Sequence, residues 1–89
     1  MAQVIVSPSE LRRFARELGE IAGEVRQRER RLELGVKSLG STWADQKYRQ
    51  LSKAQTTMSV QLQAFYSMTS RYTAFLGRKA EAADRYLGH

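Results

Sequence analysis

The chain has 89 residues, no cysteine, one proline, and 15 Lys and Arg against 9 Asp and Glu, a formal net charge of +6. A single domain of this size buries only about 60–65% of its unfolded surface, and without thiols it has neither a disulfide framework nor a thiolate metal site. For long helices the missing stability usually comes from another copy or a partner chain, so oligomerisation is expected from size alone.

The chain opens Met1-Ala2-Gln3-Val4-Ile5-Val6, with neither a basic leader nor an apolar run long enough for a cleaved signal peptide. The expectation is synthesis in the cytoplasm, with any secretion by a route that uses no cleaved signal. Residues 1–7 are expected to form an extended N-terminal segment. Within it, Gln3, Val4, Ile5 and Val6 either run along a bundle or pair as a strand at an interface.

A first helix is predicted over 8–39. Ser7 suits the N-cap, Pro8 the first helical position, and Glu10 the third position of a capping box. Val6 and Leu11 occupy the two positions of a hydrophobic staple. Apolar residues follow at Leu11, Phe14, Leu18, Ile21 and Val25, slip in register at Arg28 and Glu29, and resume at Leu32, Val36 and Leu39. Ala15, Gly19 and Ala22 flank this stripe and offer a place for close approach by another helix.

Gly40-Ser41-Thr42 breaks the pattern, and residues 40–42 are expected to form the turn. Gly40 suits a left-handed C-cap, and Ser41 or Thr42 suits the cap of the next helix. The only tryptophan, Trp43, then opens the pattern Trp43-x-Asp45-x-x-Tyr48. Its side chain is the largest apolar surface a residue can bury, so it reads as an anchor at the bend. Asp45 is expected in the first turn of the second helix, where a carboxylate is favoured by the exposed N–H groups, and within reach of Arg49.

That second helix is predicted over 43–87. Its main stripe is Tyr48, Leu51, Met58, Leu62, Phe65, Tyr72 and Leu76, continued by Ala83 and Leu87. A second line, Ala64, Met68, Phe75, Ala82 and Tyr86, lies beside it. Together they cover roughly 180–200° of the helix at about 100° per residue, whereas one partner helix needs only about 100° or a little more. The surplus predicts a second interface, with Met68 and Phe75 facing a second subunit or partner. Residues 54–70 carry no charge at all, and their many Ser, Thr and Gln exclude a membrane span.

No catalytic, cofactor-binding or metal-binding residues are expected. His89 is the single histidine and cysteine is absent, so nucleophile–base triads and His-based metal sites cannot be assembled within one chain. Glu24 with Arg28 and Glu33 with Lys37 have the favoured order for solvated helix pairs. Arg12, Arg16, Arg26, Arg30 and Lys37 align on the side of the first helix opposite its apolar stripe, and Arg49, Lys53, Arg71, Arg78 and Arg85 do so on the second. Such faces can attract nucleic acid or anionic lipid. Aromatics are not interleaved with them, so nucleic acid is not the expected partner.

Two long helices, a bend carrying a Trp motif and a total below about one hundred residues resemble the WXG family, the early-secreted-antigen-like hairpins of type VII secretion. The resemblance runs through Leu11, Phe14 and Leu18, then Trp43, then Tyr48, Leu51 and Phe65. Asp45 stands where the family has glycine, which makes this a W-x-D variant. The family's C-terminal export pattern, Tyr followed four residues later by Asp or Glu, is not matched: Leu76 follows Tyr72 and Ser70 follows Tyr66.

The resemblance implies an antiparallel four-helix dimer that acts as a secreted effector, partner or adaptor. The partner would be a second copy, another small helical hairpin, or a larger secreted cargo. The expected fold is thus an all-α long helical hairpin, dimeric as an antiparallel four-helix bundle. Trp43, Asp45 and Tyr48 form its bend motif, and Leu51, Met58, Leu62, Phe65, Met68, Tyr72 and Phe75 its bundle and dimer interfaces. The competing reading is a cytosolic basic helical module for nucleic acid or anionic membrane surfaces.

Overall fold

A computed structural model of the chain describes residues 6–88. They form two packed helices, α1 (Pro8–Leu39) and α2 (Gln46–Leu87), in a long hairpin. The molecule measures 64 × 23 × 16 Å, and its radius of gyration of 19.9 Å compares with about 12 Å for a compact chain of this length.

At the start of α1, Ser7 is the N-cap, its Oγ accepts the Glu10 N–H at 3.3 Å, and Pro8 sits in the first turn. Val6 and Leu11 are both half-buried. Of the expected extended segment, Gln3, Val4 and Ile5 lie outside the described residues, so their two alternative placements do too.

The turn lies at residues 40–42, but the capping there differs from the sequence expectation. Gly40 is right-handed, at φ −63° and ψ −16°, so it is not a left-handed cap. It is needed for space: a Cβ there would stand 2.4 Å from the Tyr48 hydroxyl oxygen and 2.8 Å from Cζ. Ser41 and Thr42 do not cap α2. Their hydroxyls turn back and donate to the carbonyls of Ser38 at 2.8 Å and Leu39 at 3.4 Å, which also accept the backbone N–H groups of Ser41, and of Thr42 and Trp43.

The N-cap of α2 is instead Asp45, in extended backbone, whose carboxylate accepts the Tyr48 N–H at 3.1 Å. Helix α2 therefore begins at Gln46 rather than at residue 43, and the expected Asp45–Arg49 pair does not form. The expected Glu24–Arg28 and Glu33–Lys37 pairs do not form either; among the described residues the one ion pair joins Arg12 to Asp84. At the far end Gly88, with φ of +80°, supplies the left-handed cap that closes α2.

The inner faces follow a strict heptad alternation. On α1, Leu11, Ala15, Leu18, Ala22, Val25, Glu29 and Val36 lose exposure, in steps of four and three broken only at Leu32, which stays 46% exposed. There is no register slip at Glu29; the carboxylate occupies a regular inward position. On α2 the matching row is Tyr48, Ser52, Gln55, Ser59, Leu62, Tyr66, Thr69, Thr73, Leu76, Ala80 and Ala83. This row is rotated from the predicted main stripe, which leaves Leu51 38% and Tyr72 55% exposed. A period of 3.5 is the seam of antiparallel coiled packing.

The seam is thin. Among the described residues only Val36, Tyr66, Thr69 and Ala80 are buried, and no large side chain is fully so. Its hydroxyls are satisfied locally: Thr69 donates to the Tyr66 carbonyl at 2.9 Å and Thr73 to that of Thr69 at 2.7 Å. The accessible surface of 7349 Å² exceeds the approximately 5,300 Å² expected of a compact monomer of 10.2 kDa. Two helices alone do not close a core here.

Candidate interaction surface

The bend motif is a tight local structure. Trp43 is half-buried, with its ring 5.7 Å from that of Tyr48 and tilted by 58°. Tyr48 in turn donates its hydroxyl to the Val36 carbonyl at 2.9 Å, which ties the start of α2 to the last turns of α1. The Trp43 indole N–H, followed by the backbone N–H groups of Tyr48 and Lys47, holds the Asp45 carboxyl below its ordinary range. Each member of the motif therefore has a structural task at the turn.

Halfway along the hairpin lies a polar node that sequence reasoning missed. The Tyr66 hydroxyl donates to Glu29 Oε1 at 2.6 Å, and the Arg26 guanidinium lies over the Tyr66 ring, 4.2 Å from its centroid. The Tyr66 hydroxyl, then the Ser59 hydroxyl and the Arg26 charge, lower the Glu29 carboxyl below its usual value. Burial first, and then Glu29, raises the Tyr66 phenol. The available signal was the four-residue step from Val25 to Glu29 and the seven-residue step on to Val36, which put Glu29 on the seam.

Two flanks border the seam. One carries Arg12 and Arg26 on α1 and meets Asp84 and Tyr66 of α2. Of the expected outer row of α1, Arg12 and Arg26 thus stand beside α2 rather than opposite the core, while Arg16, Arg30 and Lys37 are exposed. In an antiparallel pair like flanks meet on the same side, so the other flank of α1 shares a side with the other flank of α2. That side carries Phe14, Ile21, Leu51, Met68, Tyr72 and Phe75, exposed by 54, 52, 38, 38, 55 and 50%. Met58 and Phe65 lie half-buried at its inner edge, and Leu62 is half-buried on the seam itself.

Taking about 200 Å² per large side chain, these six leave on the order of 600 Å² of apolar surface in water. The largest apolar patch on an ordinary monomer is about 300–600 Å² and often functional, so this side is the candidate contact surface. One broad side of the hairpin therefore carries most of these exposed apolar side chains, with Arg28 and Lys79 at the same seven-residue positions, and the other carries Arg12 and Arg26. Among the described residues no helix is long and apolar enough to cross a membrane. Comparison with known proteins finds no matching family model, no matching curated protein and no matching solved structure.

Proposed function

We propose that this chain is a non-catalytic interaction module whose apolar side packs against a second copy of itself, giving an antiparallel four-helix dimer. The observation that carries this reading is the pairing of a thin in-chain seam with an exposed apolar side. A stable protein–protein contact buries about 800 Å² per partner. The exposed side chains supply on the order of 600 Å² before their half-buried neighbours are added. The WXG resemblance supports the same assembly, and with it a role as a small secretion-associated partner or adaptor.

Phe75→Glu or Met68→Glu tests the proposal, because each would bury a lone carboxylate in the dimer. Gel filtration should show the variant shifted to monomer while helicity of the remaining fold is measured alongside. An unchanged oligomer in both variants would place the interface elsewhere. If the wild-type chain is monomeric until mixed with a second hairpin, the occupant is another chain.

A further inference from the structure

On the side that carries Arg26, residues 63–71 of α2 and Arg26 of α1 border a shallow depression that is widely open to solvent. Its polar lining residues are Arg26, Gln63, Tyr66, Ser67, Ser70 and Arg71; no carboxylate is among them, and the nearby Glu29 carboxylate is engaged by the Tyr66 hydroxyl. Arg26 is not free to wander. It is stacked 4.2 Å over the ring of Tyr66, which is 6% exposed and itself fixed by Glu29. A guanidinium held in place loses less freedom on binding and presents its forked donors in a fixed plane.

We propose that this depression binds a phosphate monoester, with Arg26 and Arg71 gripping the phosphoryl oxygens, the two serine hydroxyls completing the donor set, and Gln63 meeting the attached group. Guanidinium–phosphate contacts are charge-assisted and often bidentate, which suits a dianionic monoester. An extended polyanion fits less well. On the same α1 flank Arg12 is already paired with Asp84 and Glu33 stands one heptad beyond Arg26, so the cationic line is interrupted. The inference does not depend on assembly, because the depression lies on the side opposite the apolar one.

The test is a titration of isotope-labelled full-length protein with O-phosphoserine, and separately with inorganic phosphate, at constant ionic strength, followed by amide NMR shifts. Saturable shifts are expected at Ser67, Ser70 and Arg71, with the monoester binding more tightly than phosphate. Arg26→Gln and Arg71→Gln should each weaken binding roughly tenfold, the loss of one charge-assisted contact. Arg16→Gln removes the same charge outside the depression and should change the affinity by less than about twofold. Arg71 is exposed, so its variant keeps the test valid if Arg26→Gln disturbs the Tyr66 node. Unsaturable shifts spread along the side that carries Arg26, or an equal loss in Arg16→Gln, would overturn the site. Equal affinity for phosphate and phosphoserine would overturn the role given to the attached group.

Discussion

Replacing Gly40 by alanine isolates the contact that fixes the bend. The backbone at Gly40 is right-handed, so alanine fits it without strain. On conformational grounds alone the change should stabilise by about 0.4–1 kcal/mol, through the less flexible unfolded chain. The new Cβ, however, would stand 2.4 Å from the Tyr48 hydroxyl oxygen, 2.8 Å from Cζ and 3.2 Å from Cε1. The ring must swing away, which breaks its hydrogen bond to the Val36 carbonyl at a net cost of about 0.5–1.5 kcal/mol. Overpacking adds about 1–3 kcal/mol. The net expectation is destabilisation by roughly 0.5–4 kcal/mol, the sum of the two costs less the alanine gain. In a Tyr48→Ala background the obstacle is gone, and the same substitution should be neutral or stabilising. Urea unfolding of the four proteins, followed by helicity at one protein concentration, gives the coupling directly. Gly40→Ala that stabilises equally in both backgrounds would refute the argument.

Asp45→Ala removes the N-cap of α2 and should cost about 1 kcal/mol in urea unfolding, with Asp45→Asn recovering most of it. Ala80 is fully buried, so Ala80→Leu should destabilise by about 1–3 kcal/mol, whereas Val60→Leu at a 67% exposed position should change little. The Glu29 carboxyl lies below its ordinary value of 4.5. A carboxyl depressed on folding contributes stability that is complete above its unfolded value and is lost as pH falls through the folded one. The urea midpoint should therefore decline below about pH 4.5, and less steeply in Glu29→Gln; an identical decline would remove Glu29 from the cause. The Tyr66 phenol is raised above 10.0, so its contribution is complete below that pH and is lost as pH rises through the folded value. The alkaline loss should be missing in Tyr66→Phe.

Much of the architecture was legible because helix punctuation is local. Ser7, Pro8 and Glu10 mark the start of α1 through contacts within one turn, and Gly88 ends α2 by the conformation only glycine adopts easily. The bend was misjudged because several residues there could cap, and tertiary contact decided among them. Tyr48 takes the space beside Gly40, and Asp45 outcompetes Ser41 and Thr42 for α2. The seam was misjudged for a different reason. Hydrophobicity pointed to Leu51 and Tyr72, yet the residues facing α1 include Ser52, Ser59, Thr69 and Thr73, whose hydroxyls can be satisfied within the helix. The stronger apolar residues are left on the outside, where Leu51 is 38% and Tyr72 55% exposed.

The most direct test of the dimer is the mass of the wild-type protein in solution, by light scattering coupled to gel filtration at low and high salt. Apolar packing is little screened by salt. The account predicts a helical species of twice 10.2 kDa at both salts. A well-folded monomer of 10.2 kDa at every concentration tested would contradict it.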